Sequence, residues 1–175
     1  MNLLSEIRTV QDFPKPGINF FDVTSIIEDP VLFRKTVKWF SRQVAQLNIQ
    51  SIVGVDARGF IWASAVAADI SCPLYLARKP GKLPGRVVTK EYDTEYSTAS
   101  LSMLADQTIQ GPVLVLDDIL ATGGTLNATG SLLTEHWGIL PEQQTHAVLI
   151  ELGFLSGRKL LEGQGYGVIS MATAD

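Results

Sequence analysis

The sequence predicts an α/β fold: an open, mostly parallel, twisted sheet flanked by helices, with a small hood or flexible loop added. Three observations predict it. Short apolar segments of strand character alternate with helix-like segments, the pattern of a parallel sheet covered on both faces. Two of the strand-like segments, residues 51–55 and 113–116, are apolar almost throughout, as in strands buried on both faces. Each runs into a tight polar turn and then a helix. In open α/β sheets, that carboxyl edge is where ligands sit.

The elements follow in order. Residues 12–22 hold two prolines and a glycine and read as an ordered loop. A helix is expected over residues 30–47, with Glu28 and Asp29 at its start and lysine and arginine further in. Residues 51–55 form a strand and 60–68 an alanine-rich apolar helix. Residues 73–77 form a further strand. Residues 78–101, rich in proline and glycine and then in tyrosine, threonine and valine, leave the main sheet as a long excursion, read as a hairpin or lid. Residues 113–116 are a strand, 126–137 a helix and 145–150 a strand. No repeat and no low-complexity segment interrupts the chain. Its 175 residues suit one domain with a sizeable core, residues 1–175.

Composition excludes several classes. A net charge of −4 disfavours wholesale binding to nucleic acid or anionic membrane. The single cysteine, Cys72, rules out an internal disulfide framework, suits a reducing compartment and reads as a buried, inert thiol. Residues 1–10 show no secretory signal, and no stretch reaches the roughly 18 apolar residues of a membrane span, so a cytoplasmic location is expected. His136 and His146 have no second ligand at metal spacing. Neither a Walker A lysine motif nor a Gly-x-Gly-x-x-Gly fingerprint is present.

Four constellations carry chemistry. In the first, Asp117 and Asp118 follow the strand at 113–116, and Ala121, Thr122, Gly123, Gly124 and Thr125 lead into the next helix. Backbone N–H groups converge at such a loop, and the helix dipole favours an anion. Carboxylates beside it suit a ligand that bears phosphate together with hydroxyls or magnesium. The plainer alternative is a strand end followed by a helix capped by Thr122 or Thr125. Against it, unpaired buried carboxylates are costly. In the second, Asp56, Ala57, Arg58 and Gly59 repeat the strand–turn–helix plan, with Arg58 placed for a bidentate phosphate contact. A surface pair between Asp56 and Arg58 is the alternative there. The third is the basic run 78–90, which holds Arg78, Lys79, Lys82, Arg86 and Lys90 with no acid among them. In an acidic chain this is a local positive funnel. The fourth, residues 91–96, offers Glu95 as an acid or hydrogen-bond partner for a substrate nitrogen.

These pieces, in this order, resemble the type I phosphoribosyltransferases, and in particular their adenine branch. The apolar strand, Asp117-Asp118 and Ala-Thr-Gly-Gly-Thr resemble the wider family's site for 5-phosphoribosyl-1-pyrophosphate. Phe13-Pro-Lys-Pro-Gly17 with Phe20 and Asp22, Arg58-Gly-Phe60, the run from Arg78 to Gly85, and Glu95-Tyr96 resemble the adenine branch. The match spans about residues 12–161.

The resemblance implies transfer of a phosphoribosyl group to adenine, with AMP and pyrophosphate as products. It implies that residues 121–125 cradle the 5-phosphate and that Asp117 and Asp118 meet the ribose hydroxyls, helped by Mg2+ carried mainly by the substrate. Arg58 would contact pyrophosphate, with Arg78, Lys79 and Lys82 as further candidates reaching across a homodimer. Backbone groups of Asn19 and Phe21 would bind adenine, Ile119 and Leu152 would lie against its faces, and Glu95 would sit near its imidazole nitrogens. Glu95, Asp117, Asp118 and Arg58 are thus the implied catalytic set. Three positions depart from the branch's pattern: Phe21 stands for an arginine, Ser97 for a glycine and Ser102 for a glutamate. A related enzyme for hypoxanthine, guanine or xanthine is one alternative. A non-catalytic sensor of phosphoribosyl pyrophosphate is the other, although the chain shows no output module.

Overall fold

A computed structural model describes residues 2–13, 15–93 and 98–175 of the protein. In chain order the strands and helices are β1 (Arg8–Gln11), β2 (Asn19–Asp22), α1 (Thr24–Glu28), α2 (Pro30–Val44), β3 (Ser51–Val55), α3 (Gly59–Ile70), β4 (Leu74–Ala77), β5 (Val87–Asp93), β6 (Thr98–Leu104), β7 (Val113–Leu120), α4 (Gly124–Trp137), β8 (Gln144–Leu152), α5 (Gly157–Gly163) and β9 (Gly167–Ala174). The central sheet has five strands in the order β4-β3-β7-β8-β9, all parallel. Two antiparallel hairpins, β1–β2 and β5–β6, stand outside it.

Strand periodicity divides the core between the two faces. Ile52, Leu114, Leu116, Ala147 and Leu149 point to the side covered by α2 and α3, where Phe40, Trp62 and Val66 meet them. Val53, Val55, Val113, Val115 and Val148 point to the other side, under Leu126, Leu132 and Leu133 of α4 and Leu161 of α5. Helix α2 starts sharply because Asp29 caps it, accepting from the Val31 and Leu32 N–H groups at 2.8 and 3.0 Å, with Pro30 in the first turn. Trp62 Nε1 donates to Thr36 Oγ1 at 2.9 Å and joins α3 to α2 inside the core.

Crossovers from β3 and β7 run to opposite sides. The chain leaves β3 through α3 to β4 at one edge, and leaves β7 through α4 to β8 on the other side. The sheet's topological switch point therefore lies between β3 and β7, at their carboxyl ends.

The structure corrects several expected boundaries. Strand β7 does not end before the carboxylates but runs through Leu120, because β8 continues to pair with it (Asp117 with Val148, Ile119 with Ile150) after pairing with β3 has stopped at Gly54. Residues 19–22 of the early segment form strand β2, held by β1, where a loop was expected. Helix α2 ends at Val44, three residues early. The excursion is a hairpin whose second strand extends to Leu104. The C-terminal residues form the edge strand β9, tied back by Arg158, which bridges Glu151 (2.6 Å) and Ser170 (2.9 Å). Cys72 is half-buried, and burial pushes its thiol pKa up, consistent with an inert side chain. No described helix is long and apolar enough to cross a membrane.

His146, in the middle of β8, is fully buried against the Tyr166 ring, 4.5 Å between centroids, and neither ring nitrogen has a partner among the described residues. Burial pushes its pKa down to about 3. The unfolded chain takes up this proton near pH 6.5 and the folded chain only near 3. The stability that depends on neutral His146 is therefore complete above pH 6.5 and falls as the pH drops, by up to about 1.4 kcal/mol per pH unit. His146→Leu removes this dependence. Urea midpoints at pH 7.5 and 5.0 measure it, and parallel losses in wild type and variant would rule His146 out as its source.

Candidate active site

A cavity of about 640 Å³ opens at the switch point. Its floor comes from the carboxyl ends of the strands: Asp56 after β3, Asp117, Asp118 and Ile119 in β7, and Leu152 at the end of β8. Asn19, Phe20 and Phe21 of β2 form one wall. Tyr92, Ala99 and Leu101 of the β5–β6 hood form another, and Lys79 and Arg58 stand at the rim. Phe21, Ile119 and Leu152 also pack on the core, so one end of the cavity is apolar.

Beside this cavity lies a smaller hollow of about 80 Å³, wrapped by residues 119–126 together with Asp117. Gly123, at φ +85°, caps α4 without a side-chain hydrogen bond. The first-turn N–H groups of a fourteen-residue helix, which have no intrahelical partner, therefore lie at this hollow without a side-chain cap from Gly123. Thr122 and Thr125 are not the caps expected as the plainer alternative. Thr125 Oγ1 instead donates to Tyr92 Oη at 3.2 Å.

The two carboxylates differ. Asp118 is 4% exposed and is paired with the Arg58 guanidinium, Nε against Oδ2. Asp117 has no such partner among the described residues and accepts from the Asp118 N–H at 2.8 Å. Burial first, and the adjacent Asp118 charge second, hold its pKa well above the carboxylate range. The Arg58–Asp118 pair exists because α3 starts hard against β7. A Cβ on Gly59 would lie 2.6 Å from the Leu116 carbonyl oxygen, so only glycine permits this approach. The surface pair of Asp56 with Arg58 does not form. Asp56 accepts from Arg78 Nε at 3.3 Å and from the Lys79 N–H at 3.4 Å, and the Asp56–Ala57 peptide is cis.

The structure therefore gathers Asn19, Phe21, Arg58, Lys79, Asp117, Asp118, Ile119, Ala121, Thr125 and Leu152 around one cavity, with Thr122, Gly123 and Gly124 completing the cradle. It does not bring Arg78 or Lys82 there. Arg78 clamps its own loop through Asp56, the Lys82 carbonyl at 3.1 Å and the Phe60 ring, while Lys82 is exposed. Glu95, Tyr96 and Ser97 lie outside the described residues. Ser102 is buried away from the cavity and bonded to Thr89 at 2.8 Å, so this departure does not alter the cavity wall. Sequence reasoning missed Tyr92, and strand alternation with Lys90 was the signal for it. It also missed Gly157, whose missing Cβ would lie 2.2 Å from the Ala121 carbonyl oxygen under the cradle, and no local signal marks it.

Among the described residues no group of three or more histidine, cysteine or acidic side chains converges on a metal position. Asp117 and Asp118 nonetheless offer hard oxygen donors, which fits Mg2+ held mostly by a ligand's phosphates.

An anion cradle and two carboxylates at one switch point serve a phosphorylated sugar, and that is the class of protein which fold and site define. The pattern of the phosphoribosyl transferase domain matches residues 25–138. Over 172 residues the chain is 45% identical to an adenine phosphoribosyltransferase of Alkaliphilus metalliredigens, covering 98% of each chain. The fold superposes on the APRTase of Giardia lamblia, solved with 9-deazaadenine, with TM-score 0.91 at 31% identity, over 100% of this chain and 99% of that one. It likewise superposes on adenine phosphoribosyltransferase from Thermoanaerobacter pseudethanolicus, with TM-score 0.87 at 34% identity, over 97% and 96%. The chain belongs to the phosphoribosyl transferase family and, within it, to the adenine phosphoribosyltransferases.

Proposed function

We propose that the protein transfers the phosphoribosyl group of 5-phosphoribosyl-1-pyrophosphate to adenine, releasing AMP and pyrophosphate in purine salvage. The observation that carries this reading is the juxtaposition of an anion cradle at a helix N-terminus with an adjoining cavity that holds the Arg58–Asp118 pair and an apolar end. The 5-phosphate occupies the cradle of residues 121–125. The ribose hydroxyls meet Asp118 and Asp117. Adenine lies at the apolar end between Ile119 and Leu152, with its edge on backbone groups of Asn19 and Phe21. An apolar side chain at Phe21 is compatible with a contact made by the backbone.

The reaction is a substitution at the anomeric carbon. The bond from C1 to the pyrophosphate oxygen breaks, the bond from C1 to N9 forms, and the N9 proton passes to the carboxylate assigned to that edge of the base, Glu95. Negative charge grows on pyrophosphate, where Arg58 and Lys79 stand. To serve there, Arg58 exchanges its Asp118 partner for a phosphate oxygen. That exchange releases Asp118 to the ribose hydroxyls and to the positive charge developing on the ring. Asp117 and Asp118 would help to hold Mg2+ brought in with the substrate, and the ion would supply charge neutralisation for the leaving group. The hood excludes water from the cationic carbon, and Glu95, two residues beyond β5, is assigned to the imidazole edge of the base. The reading includes a cytoplasmic homodimer, in which the exposed Lys82, outside its own cavity, serves the second copy's site.

The test is a steady-state assay with phosphoribosyl pyrophosphate and Mg2+, offering adenine, hypoxanthine, guanine and xanthine in parallel. Turnover with adenine and only background with the others is expected. Preferred turnover of an oxopurine would overturn the assignment of the base.

A further inference from the structure

Tyr92 has no part in the roles assigned above, yet it stands at the seam between hood and cradle. Alternate residues of β5 face one side of the hairpin. On that side Val88 packs into the core with α4, Lys90 pairs with Glu135, and Tyr92 meets Thr125. Glu135 lies in the last turn of α4 and Thr125 in its first, about 15 Å apart along the axis. The hood is thus fastened along the length of the phosphate-loop helix, and Tyr92 is the fastening nearest the cradle. Its ring lines the main cavity, whereas Thr125 borders both the cavity and the cradle.

A hydroxyl carries one hydrogen and donates it to one acceptor at a time. Here Thr125 Oγ1 donates to Tyr92 Oη at 3.2 Å, long for a bond between hydroxyls, which are commonly about 2.7–2.8 Å apart. A phosphate oxygen in the cradle is the stronger acceptor because it is anionic.

We propose that Tyr92 is a positioning residue for the 5-phosphate group, acting through Thr125. When the phosphate enters, the Thr125 hydroxyl turns to a phosphate oxygen, and Tyr92 Oη–H donates in turn to Thr125 Oγ1. The bond between the two side chains reverses direction and no covalent bond changes. The chain from Tyr92 through Thr125 to the phosphate then points one way, and each member polarises the next. Because Tyr92 belongs to β5, the position of the hood becomes tied to occupancy of the cradle. This inference rests on the assignment of residues 121–125 to the 5-phosphate.

Calorimetric titration of ribose 5-phosphate into wild type, Tyr92→Phe, Thr125→Val and the double variant tests it. Tyr92→Phe is expected to weaken binding about 3–10-fold and Thr125→Val about 10-fold or more, each with unchanged melting temperature. The double variant is expected to bind no more weakly than Thr125→Val alone. In turnover, Tyr92→Phe raises the KM for phosphoribosyl pyrophosphate and leaves that for adenine unchanged. Losses that add in the double variant, or unchanged binding by Tyr92→Phe, overturn the relay while the cradle assignment stands. A wild type that does not bind ribose 5-phosphate overturns both.

Discussion

Asp118→Asn lowers kcat/KM for phosphoribosyl pyrophosphate by about 10²–10³-fold, equivalent to roughly 3–4 kcal/mol of transition-state stabilisation, while the protein stays folded. In the proposed reaction the carboxylate would accept from ribose hydroxyls and face the positive charge that grows on the ring. The amide keeps the shape but carries no charge, and its NH2 group cannot accept. The fold tolerates the change for two reasons. Arg58, the partner left behind, is 44% exposed and remains hydrated. The substitution also relieves the repulsion between Asp118 and Asp117. The expected stability change is within about 1 kcal/mol. Steady-state kinetics with a parallel thermal melt decide the matter. Near-normal turnover in a folded variant would sink the ribose assignment, whereas loss of the melting transition would show that the Arg58–Asp118 pair holds the switch point together.

Gly157→Ala weakens the cradle from beneath. The new methyl would sit 2.2 Å from the Ala121 carbonyl oxygen and 2.8 Å from Leu120 Cδ1. The first neighbour is backbone, so relief requires moving either the start of α5 or the loop that makes the anion site. Gly123 leans on the same spot, since a Cβ there would meet the Gly157 carbonyl oxygen at 3.0 Å. A stability loss of about 1–3 kcal/mol is expected from overpacking. Displacing the loop's N–H groups is expected to weaken ribose 5-phosphate at least about 10-fold, since hydrogen bonds to charged groups contribute roughly 1.5–3 kcal/mol each. Denaturant unfolding and titration of ribose 5-phosphate measure the two effects. A variant with wild-type values in both would show that α5 does not support the cradle.

Much of this site is legible in the chain because its parts are contiguous. An apolar run that becomes acidic and then turns into small residues before a helix describes a strand, a charged floor and an anion cradle within thirteen residues, 113–125. Local geometry enforces that order, and the structure places Asp117, Asp118 and residues 121–125 accordingly. The basic run was only half legible. Its charge marks the rim of the cavity, but Arg78 turns to Asp56, a choice made by the parallel pairing of β3 with β4. Prolines and a glycine dominate the pattern of the early segment and so predict a loop there. The partner that makes residues 19–22 a strand lies 8 to 14 positions away, from Gln11 against Asn19 at one end to Arg8 against Asp22 at the other.

The sequence by itself determined the fold class, the alternation of strands and helices from residue 30 to residue 150, and the residue types of the cradle, because each depends on neighbours within a few residues. Tertiary structure alone decided that Arg58 meets Asp118, that Tyr92 meets Thr125, and that Gly157 lies under Ala121. Those meetings join residues 33 to 60 positions apart. They depend on strand order, register and the close approach that glycine permits, which are properties of packing and are set by no single stretch of chain.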